Sequence, residues 1–375
     1  MTPAHRLSAG DLRALADPAA MPPVVDTLVR AQRSKHRLWL AAIMREAART
    51  VPAEYHSVLE PAYLLLATAE RDDPRAVSRP IDSAQFGGWA ADCLGGLRTY
   101  GTAPSLSRLA DFAVDAAPDP NLPRLAAQAD GLRFEVLLDD RDPHLDRYGL
   151  ARQPVTAPAE WQDMLVRAWA VLVTGHRELA TLLPAVVSTL VPLQQRAPPG
   201  RPVSSTVASC FGAIALSLPD DPVDMAETLV HEFHHAVLSA AMDVTALIHR
   251  DRADALTYAP WREDARPVGA LLQGCYAHLG ITGFWRRLRE YGSPADRFHA
   301  DVEFARWRVS TTRATDVLLS AGILTGAGHI LVRTMRATLA DWLAEPVLAR
   351  ARRDADELSA RHHALWIQRH VLSIA

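Results

Sequence analysis

The stretch Asp221–His235 constrains the fold more than any other part of this sequence. It reads Asp-Pro-Val-Asp-Met-Ala-Glu-Thr-Leu-Val-His-Glu-Phe-His-His. Asp221 is a favourable N-cap, Pro222 suits the first helical position, and Asp224 adds negative charge in the first turn, where the helix dipole favours it. The pattern therefore predicts a helix that begins at Pro222 and continues through the histidines.

Two histidines of this predicted helix, His231 and His235, are four residues apart and project from adjacent turns of one face. With Glu232 they form an HExxH motif, a spacing that lets two imidazoles reach one metal ion. Glu232 lies close enough to contact a metal-bound water, and in a hydrolase it would be the base that activates this water. Apolar neighbours indicate a largely buried site.

A metal site needs a third protein ligand, and the motif leaves its identity open. The usual peptidase patterns, a glycine and a third histidine soon after the motif or a glutamate opening an ExxxD helix, are not evident. His278 is the preferred candidate because a helix predicted over 267–291 can pack antiparallel to the motif helix. Asp264 is the alternative, with His249 and Glu263 as further candidates. Alternatively, His278 is not a ligand but a core histidine that is hydrogen-bonded to a backbone carbonyl.

Apolar spacing along the rest of the chain predicts an α+β fold, predominantly α-helical, with a small antiparallel β-sheet beside the HExxH metal-binding helix. A short strand is expected at 133–138, and two β-like runs, 186–193 and 204–217, could pair as an antiparallel ribbon. We divide the chain into an N-terminal helical region, 1–130, and a metal-binding catalytic region, 131–375, packed as one continuous unit. The other helices are expected over 8–48 (with a break), 55–70, 85–97, 105–116, 161–174, 295–312, 328–343 and 347–372.

Composition narrows the class of protein. Hydrophobic residues make up 49% and charged residues 22% of the 375 residues, as in a folded soluble chain, and the net charge of -3 argues against a nucleic-acid partner. No apolar stretch is long enough to span a bilayer, and the first residues lack a secretory signal, so we expect a cytoplasmic protein without a membrane partner. Three widely spaced cysteines, without a CxxC pair, indicate buried thiols and neither a disulfide framework nor a thiolate zinc site.

Residues 221–238 and 258–278 together resemble the HExxH motif-containing peptide modification proteins. The second segment reads Tyr-Ala-Pro-Trp-Arg-Glu-Asp-Ala-Arg-Pro-Val-Gly-Ala-Leu-Leu-Gln-Gly-Cys-Tyr-Ala-His, and the opening, with Arg-Ala-Gln-Arg-Ser at 30–34, is also similar. The resemblance runs over nearly the whole chain. One departure is Gln273, where members often have histidine, and it bears on the identity of the third ligand.

The resemblance implies an Fe(II)/α-ketoglutarate (2-oxoglutarate)-dependent dioxygenase. Such an enzyme would use O2 to hydroxylate a β-carbon of a ribosomally synthesised precursor peptide, in RiPP biosynthesis together with partner biosynthetic enzymes. Two histidines and a third ligand would leave positions on the iron for the keto acid and O2. Glu232 would then orient water or substrate, or supply a carboxylate ligand.

The distal carboxylate of α-ketoglutarate needs a cation, and arginine binds it as a planar fork. Arg266 is the first candidate because Pro267 fixes the backbone at a helix start, and Arg262 is the second. Arg308 and Arg313 are alternatives, and a surface salt-bridge cluster is the other interpretation of Arg262 and Arg266. Two further functions stay open: a zinc metallopeptidase with Glu232 as general base, and a non-catalytic protein that binds the precursor peptide.

Overall fold

The computed structural model describes residues 5–73, 80–103, 105–114, 121–146, 149, 151–194 and 203–370. Helices make up 68% of the structure, beside a mixed five-stranded sheet and a two-stranded antiparallel sheet. The predicted class, α+β and predominantly helical with a small sheet, is confirmed. No described helix is both long enough and apolar enough to cross a membrane.

The helices follow the apolar periodicity of the sequence, and the N-terminal caps are polar side chains at several of them. A π-helical turn, Tyr55–Leu59, joins the third helix to the fourth. In chain order the helices are α1 (Ala9–Ala14), α2 (Pro22–Thr50), α3 (Pro52–Glu54), α4 (Glu60–Asp72), α5 (Ala84–Tyr100), α6 (Arg108–Val114), α7 (Pro158–Gly175), α8 (Arg177–Val186), α9 (Pro222–Val244), α10 (Val268–Tyr291), α11 (Pro294–Ser320), α12 (Gly326–Ala344) and α13 (Ala349–His370).

Most helices stand where the sequence predicts them. The predicted helix 267–291 is α10, and the motif helix begins at Pro222 as expected. Helix α8 was not predicted. It ends at Val186, which is the first residue of the β-like run 186–193. The predicted helix ends at 115–116 and 371–372 lie outside the described residues.

The five-stranded sheet has the order β1-β2-β3-β5-β4. Its first two strands form a hairpin whose two-residue loop, Asp130 and Gly131, has positive φ at both positions (42° and 78°), as a tight hairpin turn requires. Among the described residues the strands are β1 (Arg124–Ala129), β2 (Leu132–Leu138), β3 (Thr189–Pro192), β4 (Ser204–Ser205), β5 (Ala213–Leu216), β6 (Leu256–Thr257) and β7 (Arg266–Pro267).

The predicted antiparallel pairing of the runs 186–193 and 204–217 is wrong, because β3 and β5 pair in parallel. The second run is two strands and not one. A 3₁₀ turn, Ala208–Cys210, and Gly212, whose φ of 103° suits glycine, reverse the chain between β4 and β5. The antiparallel partner of β5 is therefore β4.

One large hydrophobic core joins the N-terminal helices to the centre of the chain and to α12. Side chains of α1 and the first half of α2 pack in it with those of α7, α9, α10, α11 and α12. A second cluster joins the rest of α2 to α4, α5 and α6. The predicted division between residues 130 and 131 falls inside the β1–β2 hairpin, and it stays a prediction. The three cysteines are buried, as expected, and none of them is in a disulfide bond.

Candidate metal centre

Helix α9 positions the motif. The Asp221 carboxylate accepts a hydrogen bond from the backbone N–H of Val223 at 2.7 Å, which satisfies a donor that the first helical turn leaves open. The helix packs against α10, α7 and α2, so most of its side chains are buried. Burial on several sides fixes its rotation and therefore the direction in which the motif histidines point.

The structure brings His231 and His235 together as the spacing predicts. Their Nε2 atoms are 3.1 Å apart, and their ring centroids are 4.6 Å apart with the rings nearly perpendicular. Two bonds of about 2.1 Å to one ion place two ligand nitrogens about 3.0–3.4 Å apart. The pair therefore fits a single metal ion without rearrangement of the helix.

The other ring nitrogen of His235, Nδ1, contacts a side chain of the neighbouring helix α10. Its Nδ1 lies 3.2 Å from Oε1 of Gln273 on α10. The Gln273 amide also donates to Ser239 Oγ at 3.1 Å. The contact of Gln273 with His235 was not predicted. The signal that could have identified it is a polar residue on the face of a helix expected to pack against the motif helix.

Glu232 is almost completely buried, with 1% of its surface exposed. Ser204 Oγ, on strand β4, donates to Oε1 at 2.7 Å, and Thr206 Oγ1 donates to Oε2. Oε1 is also 3.9 Å from His231 Nε2. The carboxylate thus links the motif helix to the sheet while one of its oxygens stays near the histidine pair. Ser204 and Thr206 were not predicted, because nothing in their local sequence marks them.

His278 lies on α10 next to the motif, and it is buried. Its Nδ1 donates to the Gly274 carbonyl at 2.8 Å, and its ring stacks on Trp261 with centroids 4.2 Å apart. The rings of His278 and His231 are perpendicular, with centroids 5.4 Å apart. Because a carbonyl oxygen only accepts, Nδ1 carries the hydrogen of a neutral ring and Nε2 keeps a lone pair, as a metal ligand would.

Within the part of the chain that the structure describes, no three His, Cys, Asp or Glu side chains form a group that could hold an ion as they stand. His231 and His235 supply two nitrogens, and His278 adjoins them. The identity of the third ligand therefore stays a prediction.

The alternative ligand Asp264 and the two candidate arginines form one cluster. Asp264 Oδ1 is 2.8 Å from Arg262 Nε, and Oδ2 is 3.0 Å from Arg266 Nε. Slight burial acts to raise the pKa of the Asp264 carboxyl, but the hydrogen bond and charge of Arg262 and the charge of Arg266 hold it below its usual value. All three side chains are substantially exposed, which matches the salt-bridge interpretation; recruitment of either arginine to a keto acid would require it to leave Asp264.

His234, between the two motif histidines, turns away from them into the core. Its Nδ1 donates to the Val230 carbonyl at 2.7 Å, and burial lowers the pKa of its imidazole to about 4. On the opposite helix, Gly280 lies directly against this ring. His234 is therefore a neutral packing residue at the contact between α9 and α10.

No protein-family model matches the chain, and no curated protein matches it significantly.

Proposed function

We propose that this chain is an Fe(II)/α-ketoglutarate-dependent β-hydroxylase that acts on a residue of a ribosomally synthesised precursor peptide. The observation that carries the proposal is the pair of Nε2 atoms of His231 and His235, 3.1 Å apart on a capped and buried helix. Imidazole nitrogens suit both iron and zinc, so the pair supports a metal centre. The choice of iron rests on the resemblance of residues 221–238 and 258–278 and on the surroundings of Glu232.

The residues of the chain that would hold the metal are His231 and His235, with His278 as third ligand and Asp264 as the alternative. When bound, Fe(II) with the keto acid and O2 would supply the oxidising chemistry that no side chain provides. Trp261 and Trp307 pack on His278 with ring centroids 4.2 and 4.8 Å away, and they would exclude water from that side of the site.

Glu232 would position substrate or water in this proposal. Both carboxylate oxygens already accept hydrogen bonds, from Ser204 and Thr206, so the side chain cannot swing freely. A peptidase base, in contrast, must hold the attacking water with one oxygen and take up its proton. The two hydroxyl donors therefore favour a positioning role over a base.

The sheet offers a place for a peptide beside the site. Strand β4 ends the order of the described sheet, and its Ser204 contacts Glu232. An extended peptide that paired with an open strand edge would gain main-chain hydrogen bonds and lie next to the motif helix. Arg266, and after it Arg262, would bind the distal carboxylate of α-ketoglutarate in exchange for Asp264.

The test is anaerobic reconstitution with Fe(II), followed by addition of α-ketoglutarate. We expect the visible charge-transfer band of a keto acid chelated to iron, and consumption of the keto acid to succinate once O2 is admitted. The double variant His231→Ala/His235→Ala should lose the band, whereas His56→Ala, which changes an exposed histidine, should keep it. Absence of the band from iron-loaded wild-type protein would overturn the proposal.

The second candidate function is that of a zinc metallopeptidase, and the distance between Glu232 and His231 favours it. Glu232 Oε1 lies 3.9 Å from His231 Nε2, close enough for a carboxylate that contacts a metal-bound water. If zinc-loaded protein cleaves peptides, Glu232→Gln should abolish cleavage and leave zinc binding intact. A Glu232→Gln variant that still cleaved would exclude Glu232 as base.

A further inference from the structure

We infer that Gln273 is a positioning residue that determines which ring nitrogen of His235 carries the hydrogen, and so presents Nε2 of His235 to a metal ion. The inference rests on the proposed function only in that the ion is taken to bind between His231 and His235. The position of the hydrogen on His235 is a property of the metal-free protein and can be measured there.

The orientation of the Gln273 amide follows from its three contacts. Nε2 is 3.1 Å from Ser239 Oγ and 3.5 Å from Met242 Sδ, while Oε1 is 3.2 Å from His235 Nδ1. A thioether sulfur has no hydrogen and only accepts. The NH2 group must therefore face Met242, because the flipped amide would place an oxygen lone pair against sulfur lone pairs.

The hydrogen on His235 follows from that orientation. An amide oxygen cannot donate, so the nitrogen facing it, Nδ1, must carry N–H. In a neutral imidazole the other nitrogen, Nε2, then keeps its lone pair, and this is the nitrogen 3.1 Å from His231 Nε2. The ring is thus held in the form that binds a metal before any metal arrives, which removes the cost of selecting it on binding.

One face of α9 carries the three groups that the Gln273 amide contacts. Ser239 and Met242 follow His235 by four and seven residues, so the three side chains line one stripe of the helix. Gln273 spans this stripe from α10 across the interface between the two helices. Gln32 makes a comparable bridge from α2 to α9, donating to Asp243 Oδ2 at 3.0 Å, but it contacts neither motif histidine.

The experiment compares Gln273→Leu, Gln273→Glu and the control Gln32→Leu. Leucine removes the acceptor for His235, glutamate keeps an acceptor, and the control removes a bridge to the same helix away from the site. The first readout is the apparent Kd for Co(II) alone, measured by competition with a chelator. The second is the ¹⁵N chemical shift pattern of His235 in metal-free protein, identified by comparison with His235→Ala.

We expect Gln273→Leu to weaken Co(II) binding about 10- to 100-fold and to shift His235 toward a mixture of tautomers. Gln273→Glu should keep the Nδ1–H form and bind Co(II) at least as tightly as wild type, because a carboxylate also accepts from Nδ1–H; Gln32→Leu should change neither readout. Wild-type tautomer shifts in Gln273→Leu would overturn the inference, as would equal loss of Co(II) affinity in Gln32→Leu. Failure of wild-type protein to bind Co(II) would instead count against the proposed function, and the tautomer measurement would still decide the role of Gln273.

Discussion

Gly280 sets how closely the two helices that carry the candidate ligands approach. A Cβ atom added at this position would lie 2.3 Å from the His234 ring, which is buried and bonded to its own helix. The ring has no room to retreat, so the helices themselves would have to separate. Helix α9 carries His231 and His235, and α10 carries Gln273 and His278. Separation of the two helices by one added methyl group would therefore change the distances between all four side chains.

We therefore predict that Gly280→Ala lowers the free energy of unfolding by about 1–3 kcal/mol and weakens Co(II) binding. Urea unfolding and the Co(II) competition titration measure the two effects. Gly95→Ala is the matched control: this glycine is also inside a helix, but an added Cβ meets nothing within 4 Å, so the change should be neutral or stabilise by up to about 1 kcal/mol. Wild-type stability in Gly280→Ala would contradict the prediction, because it would show that the α9–α10 interface can accept a methyl group.

Among the residues of the site, the sequence predicted those that lie close together within one helix. His231 and His235 are brought together by a spacing of four within one helix, and the structure keeps them so. Ser204, Thr206 and Gln273 reach the motif from other elements, and their places depend on tertiary packing that local spacing does not encode. Glu232, which looks catalytic in the motif, has both oxygens bonded to two of these residues.

The elements around the site depend on helix α9 having a well-defined start. The helix follows β5 after a short connection, and Asp221 closes its first turn through the bond to the Val223 N–H. His231 is nine positions after Pro222, so a shift in the register of the first turns would be transmitted toward the motif. The cap fixes the register of the helix at the end nearest the sheet.

For Asp221→Ala we expect a loss of about 0.5–2 kcal/mol in the free energy of unfolding, because an N–H of the first turn loses its acceptor and the helix dipole loses a negative charge. Asp220→Ala, which changes the exposed neighbouring aspartate, should stay within about 0.5 kcal/mol of wild type. Chemical unfolding of both variants provides the comparison, and equal stability of the two would contradict a capping role.

Most helices were predicted from the sequence, with α8 as an exception, whereas the direction of strand pairing was predicted wrongly. Periodic apolar positions over many residues identify a helix such as α10 whatever it packs against. The pairing of β3 with β5 depends on a reversal within 204–217, where a 3₁₀ turn and Gly212 interrupt what reads as one β-like run. Short strands of four residues contain too little pattern to reveal such a break.

The whole molecule buries histidines far from the candidate metal site. Burial lowers the pKa of His36 to about 4 and that of His176 to about 3, aided by the neighbouring charges of Lys35 and Arg37 for His36 and of Arg287 for His176. His176 also stacks on Phe284, with ring centroids 4.6 Å apart. Both rings therefore stay neutral in the folded protein at pH values where the unfolded chain is protonated.

Linkage gives the direction of the pH dependence. Between the unfolded pKa near 6.5 and the folded values of about 4 and 3, the unfolded state binds more protons, so the free energy of unfolding falls as pH falls through this window. Each histidine contributes at most about 1.4 kcal/mol per pH unit. Urea unfolding from pH 7 to pH 4 should show a shallower loss in His176→Gln than in wild type, and an unchanged loss in the exposed-site control His56→Gln. A wild-type slope in His176→Gln would contradict the prediction.

The core has a further consequence for how the chain is made. Tyr276 Oη donates to the Leu15 carbonyl at 2.7 Å across 261 residues of sequence, in a core that α1 shares with α9 and α10. At about 5–20 residues per second, a ribosome needs roughly 13–52 s to synthesise the chain between these two residues. During this time α1 has left the ribosome, but the part of α10 that it packs against has not yet been synthesised. Helix α1 is thus made long before one of its native partners, and its apolar residues are exposed to solvent or bound by chaperones until α10 is complete.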